Sequence, residues 1–192
     1  MAKKTWMTRA TGVLLPVSSL PSKYGVGTFG QAAREWVDFL ARAKQRYWQV
    51  LPLGPTSFGD SPYQSYSAFA GNPLFIDLQE LCNAGLLKKG RCKRTPWGED
   101  PSCVDYDTVR AGREQLLRRA FSHFKHFRVL ERFRKRNKFW VEDYALYMAL
   151  KEKMNGRPWP EWEEGLRLRD PETLEVWKKR CKEEVDYHVF TQ

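Results

Sequence analysis

Two apolar runs, Gly12-Val13-Leu14-Leu15-Pro16-Val17 and Tyr47-Trp48-Gln49-Val50-Leu51-Pro52-Leu53, flank a stretch with helical periodicity. Pro21, Gly25 and Gly27 follow the first run and Gly54-Pro55 ends the second, so each reads as a short buried strand. Between them Ala33, Trp36, Val37 and Leu40 recur at i, i+3, i+4 and i+7, and Thr28 with Gln31 fits a capping box. Strand, helix and strand within about forty residues is the proportion of a βαβ unit, whose crossover sets its strands parallel and adjacent.

After Pro73 the pattern becomes helical. Leu74 to Asp77 reads as a brief extended piece, and Leu78 to Leu87 as a short helix ended by Lys88-Lys89-Gly90. Residues 91–103, with Pro96, Gly98 and Pro101, read as irregular. Longer helices are predicted over 107–135 and 138–153, the second broken by Asn155-Gly156-Arg157-Pro158. Trp159 and Trp162 lie in a Pro-rich turn and suit a hydrophobic clamp, and Pro171 to about Phe190 reads as a last helix. The expected division is therefore 1–73, carrying the strands, and 74–192, mainly helical. Two parallel strands do not make a sheet with covered faces and edges. Either helices cap a small sheet in an α+β domain, or this is the opening part of a larger α/β protein.

Composition changes this picture only at two points. The 192 residues hold enough apolar and aromatic side chains for a sizeable core, with no run long enough to span a bilayer, and the N-terminus has no signal-peptide pattern. A cytoplasmic location without membrane contact is expected. Cys82, Cys92, Cys103 and Cys181 form no CxxC pair and read as free thiols; no metal site is indicated. The formal charge of +10 raises a nucleic-acid role, because from Arg110 to Lys138 the basic residues, Arg113, Arg118 and Arg134 among them, face only Glu114 and Glu131. The same segment carries Leu116, Leu117, Ala120, Phe121, Phe124, Phe127, Leu130 and Phe133 at helical spacing, which favours a buried stripe with the charges turned to solvent. No named nucleic-acid motif is present, and no nucleic-acid partner is expected.

Candidate chemistry gathers between Tyr47 and Pro73. A parallel strand offers its C-terminal end and the following loop to a ligand. Here that loop sets Phe58, Tyr63, Tyr66 and Phe69 among Asp60, Ser61, Gln64 and Ser65. Rings and hydroxyl-binding groups suit a sugar, with its apolar faces and polar edges; the same residues also serve turns and packing.

GVLLPVSSLPSKYGVGTFG, YWQVLPLGPT and GDSPYQSYSAFAGNP resemble the N-terminal part of the 4-α-glucanotransferases (amylomaltases, disproportionating enzymes; glycoside hydrolase family 77). WVEDYALYMALKEK, GRPWPEWEEGLRLRDP and YHVFTQ are similar to the same family in the same order. Lys44, Ser57 and Phe58 stand where the family commonly has Gly, Gly and Tyr. The resemblance implies a (β/α)8 TIM barrel, of which this chain supplies the first two parallel strands and a largely helical inserted subdomain.

It also implies transfer of an α-1,4-glucan segment to the 4-OH of an acceptor sugar by a retaining double displacement, without a cofactor. One carboxylate attacks the anomeric carbon while a second carboxyl, about 5 Å away, protonates the leaving oxygen. In the family these groups and a third acid come from later strands, so no catalytic residue is assigned here and the isolated chain is expected to be inactive, with exposed strand edges. The alternative is a non-catalytic glucan-binding module. By resemblance Tyr63 stacks under the sugar at the cleavage point, Asp60, Ser61 and Gln64 are hydrogen-bonding candidates, and Phe58 is a secondary glucan platform. α-1,4-Glucans and maltooligosaccharides are the partners implied.

Overall fold

The computed structural model describes residues 9–100 and 102–192. Strands β1 (Gly12–Leu14) and β2 (Tyr47–Gln49) pair in parallel, Gly12 opposite Tyr47 and Leu14 opposite Gln49, and helix α1 (Gln31–Arg42) is their crossover. The expected βαβ unit is present, but both strands are shorter than their apolar runs. Leu15 N–H still donates to the Gln49 carbonyl (3.0 Å), after which Pro16 has no N–H to offer and Val17–Ser19 turns into a 3-10 helix. Trp48 pins the pair from its side, its indole N–H donating to the Leu15 carbonyl at 2.8 Å.

The expected capping box is not formed. α1 starts from Gly30 without a side-chain cap, and Gln31 Nε2 donates to Glu35 Oε1 instead. Thr28 Oγ1 donates 2.6 Å to Asp77 Oδ2, a partner 49 residues away. The other Asp77 oxygen accepts from Glu80 N–H and caps α2 (Leu78–Asn83). A methyl group on Gly30 would lie 2.0 Å from that carboxylate, so only glycine fits there. One acid thus ties the start of α1 to the start of α2.

Several helix boundaries differ from the periodicity. Residues 73–75 form a 3-10 turn rather than an extended piece, because Asn72 Oδ1 accepts from Leu74 N–H. α2 ends at Asn83, and Lys88-Lys89-Gly90 opens α3 (Lys89–Arg94) instead of closing α2, inside what read as a break and an irregular segment. The expected 107–135 helix is two, α4 (Tyr106–His123) and α5 (Phe127–Asn137), parted where His126 leaves helical backbone angles. At the break Phe124 sits against both Phe127 (6.2 Å between centroids) and Phe190 (5.1 Å). α6 (Val141–Lys153) follows, then α7 (Glu164–Arg167). The last helix is also split, into α8 (Pro171–Arg180) and α9 (Lys182–Phe190), at the buried Cys181.

The chain forms two compact units: the described residues up to 66 with 72–116, and 67–71 with 117–192. The expected division after residue 73 followed chain order, whereas segment 74–116 falls in the same unit as the strands, with Val26, Leu74 and Val109 in one cluster. In this first unit a second small cluster gathers Val17, Leu20 and Ala33 with Trp36, Trp48 and Phe75. In the second unit Leu130, Val141, Ala145, Leu146, Ala149, Leu150, Trp162, Leu166, Cys181, Val185 and Val189 share one core. Trp162 is buried there as the clamp expected, its N–H on the Arg157 carbonyl, while Trp159 stays exposed.

The basic segment is not uniformly a solvated face. Arg113, expected outward, is 1% exposed and donates to the Ile76 carbonyl at 2.7 Å; burial draws its pKa down to about 10 against the pull of Asp77. Arg118 pairs with Glu152, and Arg134 with Asp186. Among the described residues, no helix is long and apolar enough to cross a membrane.

Candidate functional site

Beyond β2 the chain passes Gly54-Pro55 and closes into a loop. An isolated antiparallel bridge joins Thr56 to Ser65, and Ser57 N–H donates to the Gln64 carbonyl at 3.1 Å. Its tip is the 3-10 turn Phe58–Asp60, reversed by Gly59 at φ 69° and Asp60 at φ 53°. Asp60 tolerates this left-handed backbone because its short side chain is held locally: Thr56 Oγ1 donates to Oδ1 at 3.2 Å, and the Arg110 guanidinium of α4 pairs with the same oxygen.

These contacts sort the expected site residues. Tyr63 is 74% exposed, its ring face open to stack on a ligand. Ser61 Oγ accepts from Tyr63 N–H at 3.4 Å, which fixes the backbone that carries the ring. Gln64 holds the base of the loop through its main chain and leaves its side chain exposed. Asp60 is engaged in the loop's own bonds. Phe58 contributes its backbone to the tip, and its side chain lies outside the described residues. Phe69 belongs with residues 67–71 in the second unit, edge-on to Phe139 at 5.1 Å and near Trp140 at 6.3 Å.

Asp60, Thr56 and Asn72 line a cavity of about 70 Å³ with Pro16 to Ser18, Leu51 to Leu53 and Tyr106. The loop therefore does stand at the C-terminal ends of the strand pair, where a parallel sheet presents ligands. The loop leaves the Tyr63 ring open beside hydroxyl and amide groups. Two residues that shape it were not singled out from sequence. Asn72, whose N–H donates to the Leu53 carbonyl at 2.8 Å, was signalled by the Asn72-Pro73 dipeptide; Arg110, 50 residues from Asp60, gave no local sign. Among the described residues no group of three or more His, Cys, Asp or Glu could hold a metal ion.

Residues 15–192 match the family model described as 4-alpha-glucanotransferase. The chain belongs to that family. It is 46% identical to the 4-alpha-glucanotransferase of Streptococcus pneumoniae serotype 4 over 190 residues, 96% of this chain and 37% of the relative. The 4-alpha-glucanotransferase of Thermus thermophilus is likewise 46% identical, over 97% of this chain and 37% of its own length. Among solved structures, the amylomaltase from Streptococcus agalactiae in complex with acarbose matches with a TM-score of 0.92 and 40% identity, over 96% of this chain and 38% of that one. The chain thus spans just over a third of the length of the 4-alpha-glucanotransferases it matches.

Proposed function

We propose that this chain is the substrate-holding front portion of a 4-alpha-glucanotransferase that moves α-1,4-glucan segments between sugars by a retaining mechanism. The observation that carries the reading is the exposed Tyr63 ring, set by a bridged loop at the C-terminal ends of two parallel strands, within a backbone like that of an amylomaltase solved with acarbose. Stacking a sugar on such a ring contributes about 1 kcal/mol, by analogy with other aromatic contacts. Ser61 and Gln64 supply hydrogen bonds at the sugar's edge, and Asp60 keeps the loop in shape. Phe58 is a further platform for glucan.

On this reading β1 and β2 are the first two strands of a (β/α)8 barrel. Leu14 and Tyr47, on the strands, and Val37 and Phe39, on α1, are large apolar side chains left exposed, as on a surface built to be covered. The paired carboxylates that glycosyl transfer needs are supplied outside these residues.

The test is maltotriose disproportionation. The purified 192-residue chain is expected to give no product, and measurable turnover refutes the assignment of catalysis to other residues. In a full-length relative, replacing the residue aligned with Tyr63 by Ala should lower the transfer rate at least tenfold while leaving folding intact; an unchanged rate removes Tyr63 from the site. Titration of maltooligosaccharide against tryptophan fluorescence of this chain separates substrate holding, which saturates, from a loop that only packs.

A further inference from the structure

We propose that Cys82 and Cys92 form a reversible disulfide by exchange with a small anionic disulfide of the glutathione class. Their sulfurs lie 3.8 Å apart, in direct contact across the pair α2 and α3. A disulfide bond is about 2.05 Å long, so the sulfurs must close by less than about 2 Å, within reach of side-chain rotation. The connection between the helices turns at Gly85 (φ 74°), where a Cβ would meet nothing within 4 Å, so the segment has room to adjust.

The two thiols are unequal in a way that orders the reaction. Cys82 is half-buried and can be reached from solvent, whereas Cys92 is fully buried. Lys88, Lys89, Arg91, Lys93 and Arg94 are exposed around them, a cationic surface that attracts a peptide disulfide bearing carboxylates. The Cys82 thiolate attacks one sulfur of the small disulfide, forming a mixed disulfide and displacing one thiolate. The Cys92 thiolate then attacks the Cys82 sulfur, forming the Cys82–Cys92 bond and displacing the second thiolate. The two protons lost by the cysteines end on the two released thiols; the protein is oxidised by two electrons and the small disulfide is reduced by two. Burial and the neighbouring Cys82 hold the Cys92 thiol up at about 11, with Arg113 opposing, so the fully buried Cys92 takes the second step, after the more accessible Cys82.

The remaining cysteines are internal controls. Cys103 is exposed and its thiol faces the Asp100 carboxylate at 3.6 Å, while Cys181 is buried in the second unit. The bond would tie α2, capped by Asp77, to α3, where the Cys92 carbonyl accepts from the Trp97 indole N–H at 2.9 Å.

The experiment is treatment of the reduced chain with oxidised glutathione, followed by peptide mapping and mass spectrometry. The expected result is a Cys82–Cys92 link with a loss of about 2 Da, reversed by dithiothreitol. Cys103 should carry at most a glutathione adduct and Cys181 should remain a thiol. In Cys92→Ser, Cys82 should keep a stable adduct; in Cys82→Ser, Cys92 should stay unmodified, with circular dichroism confirming that each variant folds. A stable adduct on Cys82 in the unsubstituted chain, or a Cys82 that stays a thiol, overturns the proposal. None of these readouts depends on glucan binding.

Discussion

The two units solve the same burial problem to different degrees. In the second, six helical segments from the end of α4 to α9 close around one core, and charged side chains on different helices pair: Arg118 with Glu152, Arg134 with Asp186, Lys153 with Glu184. In the first, among the described residues, two small clusters do the work of a core, and Leu14, Tyr47, Val37 and Phe39 remain exposed beside a sheet of two strands. A parallel pair cannot bury both faces alone. The difference teaches that packed helices can bury their own apolar faces, whereas two parallel strands and one crossover helix leave theirs open. Separate stability of the units follows from this, and it can be tested by disturbing one at a time.

The largest expected effect is in the self-contained unit. Trp162 is 7% exposed, lies against Tyr147 at 5.4 Å and donates its N–H to the Arg157 carbonyl. Trp162→Ala should cost about 3–5 kcal/mol, the usual range for emptying a buried aromatic site. Urea unfolding followed by far-UV circular dichroism should show an early loss of helix, with Trp48 and Trp97 environments of the first unit retained. A single unchanged transition would show that the second unit does not depend on this core.

A smaller effect should appear with pH. Glu152, on α6, lies in that unit with His188 Nε2 2.9 Å from Oε1 and Arg118 on Oε2 at 2.6 Å. Burial pushes the Glu152 carboxyl up, but His188 and Arg118 outweigh it and hold the group below its ordinary value of 4.5. A depressed folded value means that the stabilisation is fully present above the unfolded value and is lost as pH falls through the folded one. Thermal melts of the second unit should therefore weaken below pH 4.5, and Glu152→Gln should flatten that slope. An identical acid slope in the variant would assign the acid sensitivity to other carboxylates.

What could be read beforehand followed from range. The βαβ unit and the helical remainder were legible because hydrophobic period is a local property, whereas composition named four rings in the loop and only the family resemblance singled out Tyr63 among them. Failures came where a distant partner won. Thr28 had a plausible capping role with Gln31, yet Asp77 took its hydroxyl; Arg113 carried the charge of a surface residue, yet the Ile76 carbonyl drew it inside. Val37 sat on the apolar stripe of α1 but is exposed, since the surface it faces has no cover among the described residues. The breaks at His126 and Cys181 were invisible because no Gly or Pro marks either position.

The smallest effect concerns the first unit and reverses sign. α1 ends with Lys44 N–H donating to the Ala41 carbonyl at 3.0 Å and Gln45 N–H to the Leu40 carbonyl at 2.9 Å, the paired bonds of a Schellman ending. That ending places Lys44 at φ 57°, in the left-handed region. A lysine there costs roughly 1–2 kcal/mol through the approach of its Cβ to the following carbonyl, whereas glycine is free of it and loses part of the gain to unfolded-state entropy. The resemblance that places Gly at this position in the family thus has a backbone reason. Lys44→Gly should stabilise the first unit by about 1 kcal/mol, read as a higher urea midpoint of the Trp48 signal, with the second unit's transition unmoved. A lower midpoint would mean that the lysine side chain contributes more at this turn than its backbone strain costs, and would remove strain at the end of α1 as one source of the contrast between the units.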